Sequence, residues 1–344
     1  MVTLMNDAAE PDHRNFLIRP LRFVAHWRSL PPYELIGYVF MFAAVTVFAY
    51  GIQAYTLTVV KLVVLTVATL YVAYFAALIW NDITDQDIDV IVHPGRPLPV
   101  GQISPRRFFA FALLLSVLTF LFSVLISLWC FILVGATAVF VAVHDKYLKR
   151  MIHIPAYSEI FTPVQWLTMP LLGFFAVWTA LPPTGDINLS VPVVGYISIQ
   201  KSQILPMILL LFFTYFVDDA HDVAEGIHDV EGDRRIGVKT YATSFGDRTA
   251  AKISFAMYVF SGVLGILLFY YTLLSWVFLV LFLCVWIYTL RYAYMLMKTK
   301  DDLQRKTLGR LVGQKGFDFL IASYVLIFFD VLLQLVNVFY LHWF

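Results

Sequence analysis

Apolar runs of about twenty residues, broken by short polar stretches, repeat along the whole chain. Nine of them are long enough to cross roughly 30 Å of hydrocarbon: approximately 33–52, 57–80, 107–127, 128–145, 157–179, 203–222, 250–272, 274–296 and 318–341. The pattern predicts an all-α polytopic membrane protein of nine transmembrane helices. Ahead of the first run, Arg14 to Arg28 interleaves basic and apolar residues as an interfacial segment would, and Pro20 limits it to short helical pieces. Residues 1–32 therefore read as an N-terminal cytoplasmic or interfacial segment and 33–344 as one nine-helix domain, with no linker dividing it.

Composition strengthens this picture. The 344 residues are 60% hydrophobic and 14% charged, with a mean hydropathy of +0.79, which no single soluble core accommodates. Of the 24 Lys and Arg, all but Lys61 and Lys201 fall on the side of the N-terminus. The positive-inside rule then makes that side cytoplasmic, and nine spans place the C-terminal tail, Tyr340 to Phe344, on the opposite face. The basic residues flank spans and form no stripe, so no nucleic-acid partner is expected, and no feature implies a protein partner. Met1 to Asp12 has no apolar core and is expected to be neither a cleaved signal nor a transit peptide. Cys130 and Cys284 sit inside apolar runs without metal-ligand spacing and read as small packing residues.

The candidate chemistry begins where the second run ends, at Asn81-Asp82-Ile83-Thr84-Asp85-Gln86-Asp87-Ile88-Asp89. If the helix continues, Asp82, Asp85 and Asp89 share one face with Asn81 beside Asp85, while Asp87 points elsewhere. Clustered carboxylates repel, so such a face is either a solvated helix end or a site neutralised by cations. Oxygen-only donors at this density suit a hard ion, most plausibly magnesium.

A second acidic stretch closes the sixth run. Its residues Asp218, Asp222, Glu225, Asp229 and Asp233 step by four, three, four and four, a helical stripe of carboxylates. Asp219 and Glu231 lie off the stripe and read as solvated or capping residues, and Gly226 and Gly232 are expected to loosen the helix end. His221 and His228 lie on the same broad face. Either a general-base role or a hydrogen-bonded place beside the carboxylates is open to them. If the helix bundle brings the two stretches together, they could hold two or more magnesium ions around an anion such as a diphosphate. Arg96 and the basic residues Lys146, Lys149 and Arg150 would complete that site, although positive-inside topology alone also accounts for the latter cluster. Glu34, at the mouth of the first span, could pair with a base, accept a proton or lie at the interface.

These residues resemble the UbiA superfamily of intramembrane prenyltransferases. Asn81, Asp82, Asp85 and Asp89 fit its NDxxDxxxD motif, Arg96 to Gly101 its RPLPxG-like stretch, Asp229 and Asp233 its DxxxD motif, and Tyr147 to Arg150 its YxxLKR-type element. The resemblance implies nine helices around a cavity open sideways to lipid, with the motifs on capping cytoplasmic loops. It further implies that Asp82, Asp85, Asp89, Asp229 and Asp233 bind Mg2+ and that Arg96, Lys146, Tyr147, Lys149 and Arg150 hold the diphosphate of an isoprenyl donor; Asp222, Glu225, His221 and His228, on the same helical stripe, are candidate accessory residues. In the reaction that the resemblance implies, bound magnesium would neutralise the departing diphosphate as an allylic cation forms, an apolar tunnel would exclude water, and a lipophilic acceptor would attack the cation and lose a proton.

Two departures bear on the acceptor. Residues 220–228 carry no Lys or Arg where members related to archaeal lipid and chlorophyll synthases usually do, so the expected acceptor is not phosphorylated. The first span also lacks the Arg-Pro start expected near an aromatic acceptor. A membrane terpene cyclase, in which the cation is attacked by its own chain, is the alternative, and 17% aromatic residues would suit it. A cation transporter is the remaining reading; it would place the carboxylates near the bilayer midplane in broken helices.

Overall fold

In hydrocarbon a backbone N–H or C=O has no water to bond, so each apolar run must close its own hydrogen bonds as a helix. The computed structural model, which describes residues 30–86, 89–90 and 95–341, is built this way. Its long helices are α1 (Pro32–Tyr50), α2 (Leu57–Thr84), α3 (Pro105–Ile126) and α4 (Leu128–Val143), the last running on through a π-helical turn, His144–Leu148, and a helical turn, Lys149–Met151. A short α5 (Tyr157–Phe161) and a 3-10 turn (Thr162–Leu167) lead into α6 (Thr168–Ala180). Then come α7 (Lys201–Ile236), a short α8 (Tyr241–Phe245), α9 (Asp247–Tyr271), α10 (Trp276–Lys298) and α11 (Asp302–Val336). Among the described residues nine helical segments are long and apolar enough to span a membrane, matching the nine runs. The interfacial segment Arg14 to Arg28, Asp87 and the tail residues 342–344 lie outside the described residues.

The helix ends follow from local chemistry. Ser127 terminates α3 and its side chain also accepts from Cys130 N to cap α4, so one residue suffices between two spans. The α2 helix does not stop at residue 80. It continues through Thr84, where Asp85 caps it with its N–H on Asn81 O, and beyond the cap Asp89 N donates to Asp85 O.

The helices form a closed set of neighbours. Contacts run α1–α2–α3–α4–α6 on one side and α7–α9–α10–α11 on the other, closed where α1 packs on α11 and α6. The α1 and α7 helices are buried most, whereas α3 and α10 turn Leu113, Val117, Leu121, Val280 and Leu281 outward, as lipid-facing helices do. At 36 residues, α7 is about 54 Å long. It overruns the hydrocarbon, and the overrun carries the acidic stripe. The α11 glycines permit its close approach: a Cβ on Gly309 would meet Ala224 O at 2.6 Å. The all-α pattern has one addition that the sequence reading missed, an antiparallel hairpin of β1 (Ile187–Val191) and β2 (Gly195–Ile199) between α6 and α7.

Candidate functional site

In the first acidic stretch, Asp82 and Asp89 converge on Arg96. Arg96 Nη1 lies 2.7 Å from both carboxylate oxygens of Asp89 and 3.2 Å from Asp82 Oδ1, and both aspartates are 2% exposed. Sequence reading assigned Arg96 to a diphosphate. In the structure its guanidinium neutralises the carboxylates themselves, because two buried anions in one pocket require a charge partner. The pocket is thus a donor set on which oxygens already converge around one positive centre, a fit for a hard divalent ion. Asp85 caps α2 and is half-buried.

The second stretch is organised in depth along α7. Deepest are Asp218 and Asp219, both almost fully buried. Next, His221 Nε2 bonds Asp218 Oδ1 at 3.0 Å while its Nδ1 faces Asp222 Oδ1 at 3.6 Å. Glu225, Asp229 and Asp233 continue toward the helix end, each within Coulombic range of its neighbour or of Asp222. His221 is therefore the hydrogen-bonded neighbour of the carboxylates, whereas His228 is exposed. Glu231 is solvated and paired with Lys306, as expected of an off-stripe residue.

Asp219 is not solvated, and the reason is positional. The α7 helix is packed on more than one face, so leaving the stripe does not mean reaching water. Across from it lies Glu159 on α5, a residue that sequence reading missed: it is 5% exposed, and Oε2 accepts from Tyr241 N. Glu159 Oε1, Asp218 Oδ2 and both Asp219 oxygens are buried without a hydrogen-bond partner among the described residues. Gly226 does not loosen the helix, which continues to Ile236; a Cβ there would lie 2.2 Å from Glu159 Oε1. Its role is to admit that carboxylate. Burial, and then Asp219, Tyr215 and Glu159, hold the Tyr241 phenol above its ordinary pKa and keep it neutral.

The connection carrying Glu159 is clamped to the loop after α7. Ser158 N donates to Lys239 O at 3.0 Å and Ala156 N to Ser244 Oγ at 3.0 Å, which holds Ala156 in the left-handed region at φ 56°. Upstream, the π-helical turn touches α2, the helix of the first stretch, and the following Lys149 lies within Coulombic range of Asp222 and Asp233. The basic connection after α4 thus lies against α2 and beside the α7 stripe. Lys146 and Tyr147 are exposed, the ammonium 5.4 Å over the phenol ring; the Arg150 side chain lies outside what is described.

An aromatic wall adjoins the second stretch. Tyr38, Tyr74, Trp166 and Phe317 form a chain of ring contacts 4.8–6.1 Å apart, and Phe317 packs on His221 at 5.3 Å. Glu34 accepts from Tyr38 OH at 2.9 Å, which gives it a partner at the mouth of α1.

Among known proteins, the model of the UbiA prenyltransferase family matches residues 39–312. The digeranylgeranylglyceryl phosphate synthase of Methanosphaera stadtmanae is 25% identical over 221 residues, 64% of this chain and 71% of that protein. Its counterpart in Methanobrevibacter smithii is 26% identical over 244 residues, 70% of this chain and 78% of that protein. Of solved structures, the apo UbiA homolog from Aeropyrum pernix K1 aligns with a TM-score of 0.64 at 18% identity, covering 89% of this chain and 99% of that one. A UbiA homolog from Archaeoglobus fulgidus bound to GPP and Mg2+ aligns at 0.54 and 15% identity, covering 87% and 99%. At such identities the structural likeness speaks for the fold.

Proposed function

The chain belongs to the UbiA prenyltransferase family, and from that premise we propose that it is a magnesium-dependent transferase that moves an isoprenyl group from a diphosphate donor to a lipophilic, non-phosphorylated acceptor. The observation that carries this reading is a pair of acidic stretches, one neutralised by Arg96 and the other beside Lys149, with an aromatic wall packed against His221. Asp82, Asp85, Asp89, Asp229 and Asp233 would hold the metal, and magnesium, when bound, neutralises the charge that develops on a departing diphosphate. Lys149 is placed to add a point charge to the diphosphate, and Arg96 to exchange its carboxylate partners for phosphate oxygens once these are otherwise neutralised. Tyr38, Tyr74, Trp166 and Phe317 exclude water and offer ring faces to a carbocation. The positive-inside bias supports a cytoplasmic N-terminus and a site on that side.

The relatives' name specifies a phosphorylated acceptor, whereas residues 220–228 of this chain carry no Lys or Arg to receive one. Product analysis decides. Purified protein with Mg2+ and geranyl, farnesyl or geranylgeranyl diphosphate should consume donor only when a lipophilic acceptor is added, and a neutral phenol or quinone precursor should outperform a glycerol phosphate lipid. Preference for the phosphorylated lipid would overturn the acceptor assignment. A cyclic hydrocarbon or terpene alcohol made from donor alone would establish a cyclase instead.

A further inference from the structure

The proposed transfer uses oxygen donors at the two ends of the site, yet a third cluster, His221, Asp222 and Glu225, is left without a task. One donor atom from each of these residues lies within 4.8 Å of the others. His221 is 8% exposed, and its Nδ1 is buried with no hydrogen-bond partner among the described residues, 3.6 Å from Asp222 Oδ1. Its other nitrogen, Nε2, is engaged by Asp218 Oδ1 at 3.0 Å. A carboxylate on one imidazole nitrogen fixes the ring and raises the basicity of the other, the arrangement that orients histidine ligands toward metals. Ligand atoms about 2.1 Å from an ion in tetrahedral geometry stand about 3.4 Å apart, close to the His221–Asp222 separation.

The packing is shaped to these side chains. A Cβ on Gly313 would meet Glu225 Cγ at 2.1 Å, and one on Gly316 would meet His221 Cβ at 2.7 Å and Tyr258 Oη at 1.7 Å. The glycine face of α11 therefore makes room for both ligating residues. The charges facing the cluster are Asp218, Asp219 and Asp229 on α7, Glu159 on α5, Lys149 after α4 and Arg310 on α11, with the Tyr258 phenol from α9. Carboxylates outnumber the cations.

We propose that His221, Asp222 and Glu225 form a second divalent-cation site, with an imidazole nitrogen among its ligands, that takes a first-row transition ion in preference to magnesium. A nitrogen donor favours manganese through zinc over magnesium, whose ligands are oxygens. The site's three residues are not among the five carboxylates assigned to magnesium, although Asp229 lies within Coulombic range of Glu225, and it requires no diphosphate, so it holds or fails independently of the transfer reading.

The test is electron paramagnetic resonance of the full-length protein in detergent, stripped of metal and loaded with Mn2+ in saturating Mg2+, without substrate. Magnesium occupies the oxygen-only sites, and the remaining Mn2+ should show directly bound imidazole nitrogen as a 14N coupling. His221→Gln should abolish the coupling and weaken Mn2+ binding at least about tenfold. Asp218→Asn should keep the coupling with about tenfold weaker binding, and Arg107→Ala, at an exposed position, should leave both unchanged. Wild-type Mn2+ lacking 14N coupling, or displaced entirely by Mg2+, would overturn the proposal and mean that a proton holds the histidine between its carboxylates. Because the wild-type spectrum alone decides this, the result does not hinge on whether a variant folds. Coupling that persists in His221→Gln would equally overturn it.

Discussion

Removing the Arg96 side chain should make the stability of the protein depend on magnesium. Arg96 is the cation shared by Asp82 and Asp89, at 3.2 and 2.7 Å, and its own side chain is 20% exposed. Deleting one partner of a buried ion pair costs about 3–5 kcal/mol. Partial exposure of the guanidinium puts the expected loss for Arg96→Ala near the lower end, about 3 kcal/mol. At about 2 °C per kcal/mol for a large chain, the unfolding midpoint in EDTA should fall by about 6 °C. An ion at a hundred times its dissociation constant returns about 2.7 kcal/mol, nearly the whole loss. Magnesium should therefore raise the midpoint of Arg96→Ala more than that of wild type, in which the ion must compete with the arginine for the same oxygens. The assay is thermal unfolding in detergent across a magnesium titration, with the exposed Arg107→Ala as control. If Arg96→Ala matches Arg107→Ala in EDTA, or if magnesium stabilises wild type and Arg96→Ala equally, the shared-cation account of the first acidic stretch is wrong.

Other outcomes are equally specific. Asp82→Ala, Asp85→Ala or Asp229→Ala should abolish prenyl transfer while membrane insertion and elution profile stay normal; near-normal turnover in any of them would remove that residue from the metal site. Gly226→Ala should cost about 1–3 kcal/mol through collision with Glu159. Adding Glu159→Ala should recover part of that loss, and strict additivity in this double-mutant cycle would refute the contact. Asp330 accepts from Ser275 N at 2.9 Å and Phe278 N at 3.2 Å at the start of α10. Asp330→Ala should therefore lower stability by about 1–3 kcal/mol without altering donor affinity, which thermal unfolding and a binding isotherm would check together.

The nine spans were legible because hydrocarbon imposes one rule on every residue of a run. The ends of the runs were less so: the helix carrying Asn81 and Asp82 continues past Trp80 because polar residues can extend a helix once it has left the lipid. Asp82, Asp89 and the α7 stripe announced themselves by spacing. Glu159 had no such signature, being one acid in an otherwise apolar run, and only its isolation at membrane depth could have flagged it. Asp219 was misread because a single-stripe argument assumes that the other helix faces meet solvent, and α7 is enclosed on several. Gly226 shows a similar limit. Its composition suggests looseness, whereas its neighbour, 67 positions away in the chain and invisible to local pattern, makes it a packing requirement. The hairpin of β1 and β2 was missed because its five-residue strands are too short to stand out beside long apolar helices.

The central claim is that two acidic stretches about 140 residues apart act through metal on one diphosphate. Equilibrium binding of a non-ionising isoprenyl thiodiphosphate, with and without Mg2+, tests it most directly in wild type, Asp82→Ala, Asp229→Ala and the double variant. The account predicts tight binding only with Mg2+, a large loss in each single variant, and a double variant scarcely worse than either, since one shared site is already broken. Binding that is independent of Mg2+, or that survives intact in one of the single variants, would contradict it.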